Sequence, residues 1–171
     1  MSGSEGRSWP ARERRQRQER RSGKDRRDEA AWTTVRLDGP PAGEANLVER
    51  ALDARLRAQA GYSGFKVGAA LELPDGSIVT GCNIENASYS LTICAERVAL
   101  VKALSDGHTT FTRIAVVADT EEPTPPCGPC RQLLWEYCGD IDVILGNLDG
   151  PRARHRLSAL LPLPFDQRLI K

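Results

Sequence analysis

Residues 125–132 read PPCGPCRQ, with Cys127 and Cys130 two residues apart between prolines and a polar Arg131-Gln132. The stretch lies between two apolar segments, TRIAVVA (112–118) and IDVILGN (141–147), and it opens the run RQLLWEYC (131–138). The short apolar segments read as strands inside a sheet, and the run between them reads as a helix. Strand, helix, strand in that order is a crossover unit, which predicts sheet strands linked by a helix laid over one face.

Extending outward from this unit gives the fold class. ANLVERALDARLRAQA (45–60) places Leu47, Val48, Ala51, Leu52 and Leu56 at three- and four-residue spacing, predicting an amphipathic helix ended by Gly61. FKVGAALEL (65–73) is strand-like, Pro74-Asp75-Gly76 is a hairpin turn, and SIVTGC (77–82) is a second strand. The loop NIENASYS (83–90) precedes a helix over ICAERVALVKALSDG (93–107). Val98, Ala99, Leu100, Val101 and Leu104 surround much of that helix, which predicts that it is well buried. LSALLP (157–162) supplies a last helical turn. The order α-β-β-α-β-α-β predicts an α/β fold with a mixed sheet and helices on both faces.

A chain of 171 residues, 40% apolar, can bury a sizeable core as one domain. It has no apolar run near the ~18 residues needed to cross a bilayer, and its charged N-terminus lacks the apolar centre of an export signal. A cytoplasmic location is therefore expected. Five cysteines (Cys82, Cys94, Cys127, Cys130 and Cys138) are too few and too unevenly spaced for a disulfide scaffold, so reduced thiols, metal ligation or catalysis is expected.

Charge divides the chain. Residues 1–30 carry ten Lys/Arg against six Asp/Glu, while the remaining 141 carry 14 against 17. Residues 1–43, ending in the turn-rich DGPPAG, hold too little aliphatic surface to offset the entropy of ordering and are expected to form a disordered basic extension. Residues 44–171 form the folded domain. Nucleic-acid binding by the tail is disfavoured, because acids are interleaved with the arginines and no aromatic ladder offers stacking.

The prolines and glycine around Cys127 and Cys130 stiffen a knuckle that can aim both sulfurs at one point, a frequent way to supply two zinc ligands. A redox dithiol and a disulfide are the alternatives. Cys94 favours the metal, since it starts its own helix as the knuckle starts another, and two helix N-termini at one sheet edge favour ionised sulfur. Three thiolates leave a fourth position open, as catalytic zinc sites do. Cys82 and Cys138 read as small buried thiols, and His108 and His155 as polar-loop residues outside the ligand set.

Glu96 stands two positions after Cys94 on an otherwise apolar helix, where a carboxylate is costly unless something uses it. Beside an open metal position it reads as a general acid/base. Zinc with three thiolates sums to −1, and Arg97, with Arg131 as a second candidate, can withdraw some of that negative charge by hydrogen-bonding the sulfurs. Asn83 and Glu85 alternate at the end of a strand and point the same way. Taken alone they read as loop-capping residues, and Phe65 reads as core.

The segments YSGFKVGAAL (62–71), GCNIENASYS (81–90), CAERVALVKA (94–103), PCGPCRQ (126–132) and LLPLPF (160–165) closely resemble the cytidine deaminases in their small homotetrameric form. Gly61 and Gly64 flank the Tyr62-Ser63 pair, where the family commonly has a proline before it and a bulkier residue after it. The resemblance implies a three-layer α/β/α cytidine-deaminase-like fold around a central mixed β-sheet. It implies Zn2+ on Cys94, Cys127 and Cys130, and hydrolytic deamination of cytidine and 2′-deoxycytidine to uridine and 2′-deoxyuridine in pyrimidine salvage. In that chemistry Glu96 shuttles protons from the water that zinc activates to the pyrimidine N3 and to the departing ammonia. Ala95 would offer its backbone N–H to the base carbonyl, Asn83 and Glu85 would hold the ribose 3′-hydroxyl, and Phe65 would pack on the base. In a homotetramer with shared sites, Ala87, Tyr89 and Phe165 would reach a neighbour's ligand.

Other readings are a deaminase of a related cytosine compound such as blasticidin S, a polynucleotide editor, and a zinc-stapled binding module. GCNIEN argues against the first. Cys94, where editors resemble a His-x-Glu pattern, argues against the second. Glu96 beside an open metal position argues against the third.

Overall fold

The computed structural model describes residues 35–36 and 43–170, all belonging to the unit Thr34–Lys171. Strands are β1 (Val35–Arg36), β2 (Val67–Glu72), β3 (Ile78–Cys82), β4 (Arg113–Ala118), β5 (Asp142–Asn147) and β6 (Gly150–Arg156). Helices are α1 (Glu44–Arg55), α2 (Ala95–Ser105), α3 (Gly128–Cys138) and α4 (Leu157–Leu160). The strands form one sheet in the order β1-β6-β5-β4-β2-β3.

Its pairings follow from the connections. The hairpin β2–β3 is antiparallel, closed by Leu73 and Ser77 around a turn in which Asp75 Oδ1 accepts from the Ser77 amide at 2.9 Å. The crossover through α3 makes β4 and β5 parallel, and every other pair is antiparallel, so the sheet is mixed. The two-residue alternation of strand side chains sorts the core into two layers. Leu47, Val48 and Ala51 of α1 pack on Ala70, Ala115, Val117 and Ile144. On the opposite face Ala95, Ala99 and Leu100 of α2 and Leu134 of α3 pack on Ala69, Leu71, Ile114, Val116, Val143 and Leu145. This is a three-layer α/β/α arrangement.

Small residues set the layer spacing. A Cβ on Gly68 would stand 1.9 Å from the Ala51 carbonyl oxygen, and one on Gly81 would stand 2.4 Å from the Ala95 carbonyl oxygen. Hydrogen at these positions lets α1 and α2 lie directly on the sheet.

Several expectations are corrected. The sheet has six strands where the sequence suggested four. GPRARHR forms β6, with Ala153 and His155 buried and Arg152 and Arg156 exposed. Its arginines hide a period-two pattern that burial of the small and aromatic positions reveals. His155 is therefore a buried strand residue and not a loop residue. The helix expected to reach Gly61 ends at Arg55, because Gln59 is drawn into strand-like pairing with the segment 83–85: its N–H donates to Asn83 O, and its carbonyl accepts from Glu85 N. Helix α2 is buried on one side only, and Val101 is 49% exposed.

Of the expected extension 1–43, residues 35–36 form β1, which pairs with β6. Residues 1–34 and 37–42, and the disorder expected of them, lie outside the described residues. Among the described residues no helix is long and apolar enough to cross a membrane.

Candidate active site

Strands β3 and β4 run in the same direction, each antiparallel to β2, so their C-terminal ends share one edge of the sheet. Helix α2 follows β3 and α3 follows β4, and both helices start at that edge. Cys94 is the residue capping α2, and Cys127 caps α3 with extended backbone (ψ 154° and 164°). Cys130 lies in the first turn of α3, after Gly128-Pro129. Both caps pass their carbonyls into their helices, Cys94 to Val98 N–H at 3.1 Å and Cys127 to Arg131 N–H at 3.0 Å.

The three sulfurs all lie within 4.8 Å of one another, and Cys94 and Cys127 Sγ are 3.8 Å apart. Ligands about 2.3 Å from a tetrahedral centre sit ~3.8 Å from one another, so the spacing fits a three-sulfur metal site. It is far beyond the ~2.05 Å of a disulfide, and all five cysteines are free thiols. The third sulfur, from Cys94, makes the knuckle part of a three-ligand set instead of an isolated dithiol.

The site's electrostatics favour ionised sulfur at one position. The Cys94 thiol is lowered to about 5, first by a hydrogen bond with Cys130, with Cys127 and the Arg97 charge adding to it. Cys130, which is buried, is pushed up as the group sharing that proton. Arg97 donates from Nη2 to Thr92 O at 3.0 Å, while its buried Nε has no hydrogen-bond partner among the described residues. The guanidinium is thus held beside the sulfurs.

Glu96 is 4% exposed, the second residue of α2. Burial is the main force raising its pKa, and the negative charge of Cys94 adds to it. A carboxyl that readily holds a proton next to a three-sulfur cluster can both accept and deliver one. The Ala95 peptide, fully buried, is the first of α2, where N–H groups have no acceptor within the helix.

The other predicted residues gather around one loop. Asn83 is buried, with Oδ1 accepting from Val67 N–H at 2.8 Å and Nδ2 donating to Phe65 O at 2.9 Å. Glu85 Oε2 accepts from Tyr62 N–H at 2.8 Å and from Ser63 N–H at 3.1 Å, and Oε1 accepts from the Ser63 hydroxyl. Both side chains therefore cap the loop 61–67, as their residue types alone suggest. Phe65 is 41% exposed instead of buried in the core. Ala87, Tyr89 and Phe165 are exposed, and Tyr89 meets Tyr62 edge-to-face at 6.2 Å.

Among the described residues Arg131 bonds to backbone carbonyls and not to the sulfurs. Its Nε donates to Pro126 O at 2.6 Å and its Nη1 to Leu160 O at 2.8 Å, clamping the knuckle to α4. Gln132 Nε2 donates to Phe165 O at 2.6 Å. The contacts to Leu160 and Phe165 are not legible locally, because those partners lie 29 and 33 residues away. Cys82 and Cys138 are half-buried and outside the cluster, and burial pushes the Cys138 thiol up to about 12. His108 is exposed, and neither histidine joins the cluster.

The chain matches the cytidine and deoxycytidylate deaminase zinc-binding region over residues 43–146. A cytidine deaminase of Halalkalibacterium halodurans is 54% identical over 120 residues, covering 70% of this chain and 91% of that protein. One from Sporosarcina psychrophila is 50% identical over 122 residues, covering 71% and 90%. The crystal structure of a cytidine deaminase from Burkholderia pseudomallei superposes with a TM-score of 0.68 at 47% identity, covering 70% of this chain and 97% of that one. With its sulfur cluster, its buried glutamate and its sheet order in place, this chain belongs to the cytidine and deoxycytidylate deaminase family.

Proposed function

We propose that the chain deaminates cytidine and 2′-deoxycytidine hydrolytically, giving uridine and 2′-deoxyuridine plus ammonia. The observation that carries this reading is the buried Glu96 carboxyl, set two residues beyond Cys94 where three sulfurs converge. Cys94, Cys127 and Cys130 would hold Zn2+, whose Lewis acidity makes water nucleophilic near neutral pH.

Glu96 accepts a proton from the attacking water and delivers it to the pyrimidine N3 as the water oxygen bonds to C4. It then passes the second proton to the exocyclic nitrogen, and the C4–N bond breaks with release of ammonia. Burial suits Glu96 to both transfers, because it narrows the energy gap between the protonated and ionised carboxyl. Arg97 tempers the negative charge of the thiolates. The Ala95 N–H donates to the base carbonyl, Phe65 packs on the base, and Asn83 and Glu85 hold the ribose 3′-hydroxyl, Asn83 donating to it and Glu85 accepting from it.

The same reading assigns the protein to pyrimidine salvage in the cytoplasm, as a homotetramer in which Ala87, Tyr89 and Phe165 reach a neighbour's ligand. The exposure of Tyr89 and Phe165, at 76% and 62%, supports a role between copies. The catalytic domain is 44–171, to whose sheet residues 35–36 add an edge strand.

The test offers purified protein cytidine, deoxycytidine, CMP and a cytosine-containing oligonucleotide, and follows ammonia release. Turnover of both nucleosides is expected; turnover of the oligonucleotide alone would overturn the reading. Glu96→Gln should lower kcat by about 10²–10⁴-fold with the metal retained. Loss of the metal with that substitution would make Glu96 a ligand instead.

A further inference from the structure

Glu85 does more than close a loop. Its carboxylate receives both the Tyr62 and Ser63 amides and the Ser63 hydroxyl. The Ser63 Oγ in turn accepts from the Phe65 amide at 2.9 Å. A continuous chain therefore runs from the Phe65 N–H through the Ser63 hydroxyl to Glu85 Oε1. The Phe65 carbonyl is held from the other side by Asn83 Nδ2.

Between Ser63 and Phe65 stands Gly64 at φ +71°, a conformation that costs glycine little, with nothing within 4 Å of where a Cβ would point. A side chain here would find no packing partner; the Gly64 N–H donates to Ala60 O at 2.9 Å, and the polar chain through Ser63 adds the side-chain restraint. The three hydrogen bonds from Ser63 and Tyr62 also hold the Glu85 carboxyl below its ordinary pKa, so it stays an acceptor. An ionised carboxylate offers about four lone-pair sites. Three are used here, which leaves one for a ligand hydroxyl.

We propose that Ser63 is a positioning residue whose hydroxyl locks the Glu85 carboxylate and the Phe65 backbone into one unit, coupling recognition of the ribose 3′-hydroxyl to placement of the base. The inference rests on the reading of Glu85 and Phe65 as substrate groups. Ser63 itself touches no reacting atom. Its substitution should therefore act on binding and on discrimination, leaving the proton transfers of Glu96 intact.

The experiment compares cytidine with 3′-deoxycytidine in the full chain, its S63A variant and its S63T variant, measuring kcat and KM for each. The unaltered protein is expected to prefer cytidine. S63A should raise KM for cytidine about tenfold, as loss of one hydrogen bond to an ionised group does, with kcat changed much less. It should also erase most of the preference over 3′-deoxycytidine. S63T, which keeps the hydroxyl, should recover both properties. S63A with unaltered KM and unaltered preference overturns the proposal while leaving the Glu85 assignment standing. An unaltered protein that does not distinguish the two nucleosides overturns the Glu85 assignment and the coupling with it.

Discussion

Gly81→Ala puts the positioning of the catalytic helix to a direct test. A Cβ at this position on β3 would stand 2.4 Å from the Ala95 carbonyl oxygen, 2.5 Å from the Ala99 nitrogen and 3.0 Å from Val98 Cβ. Two of these neighbours are helix backbone and cannot rotate away. Relief to 3.0 Å at the carbonyl requires β3 and the first turns of α2 to separate by about 0.6 Å, and comfortable contact requires about 1 Å. Those turns carry Cys94 and Glu96. Overpacking of this kind costs about 1–3 kcal/mol, which lowers the thermal midpoint of a domain this size by roughly 4–12 °C. A displacement approaching 1 Å at Glu96, the carboxyl we propose transfers the protons, should lower kcat by about 10²-fold. Kinetics measured well below the midpoint, alongside thermal unfolding, separate the two effects. Gly61→Ala serves as the control, because nothing lies within 4 Å of its Cβ and its φ is not in the left-handed region. Unaltered kcat and midpoint in Gly81→Ala would refute the argument that contact with this glycine sets the catalytic helix.

Other outcomes follow from the same geometry. Chelation should abolish turnover and lower the thermal midpoint, with zinc restoring both, because three sulfurs within 4.8 Å are left without a cation; an unmoved midpoint would mean the metal adds nothing to the fold. His155 has its pKa lowered by burial and by the Arg131 charge, so the unfolded chain takes up the proton first as pH falls. Its contribution to stability is complete above about pH 6.5 and declines as pH drops through that value toward the lower folded one. Denaturant midpoints across this window should be flatter in His155→Gln, and an equal slope would refute the assignment. A chain beginning at Glu44 should keep its kcat but melt below one beginning at Thr34, since only the second can pair β1 with β6; loss of kcat would make the N-terminal segment part of the site.

Much of the architecture was legible because its signals are local. Apolar spacing in ANLVERAL marked α1, and the Pro-Asp-Gly turn marked the hairpin. The segment TRIAVVA, the knuckle helix and IDVILGN marked the parallel crossover. β6 was not legible, because alternating arginines look like a solvated loop until the sheet shows which positions turn inward. The end of α1 escapes local pattern for a related reason: Gln59 leaves helical geometry for hydrogen bonds to residues 83–85, which nothing nearby in sequence announces.

The site divides along the same line. Residue type and local spacing carry the chemical reading: three thiols at two helix starts, a carboxylate two positions after one of them, and polar residues alternating at a strand end. Those properties follow from residue type and spacing of a few positions. Packing of the whole domain brings Cys94 to a knuckle 33 residues away, at 3.8 Å, and desolvates Glu96 where they meet. The same packing lets Arg131 clamp two carbonyls and Ser63 link Glu85 to Phe65. Convergence of this kind depends on sheet order, on the shared direction of β3 and β4, and on a bare glycine letting α2 settle onto the sheet. These are long-range packing outcomes, and no stretch of neighbouring residues contains them.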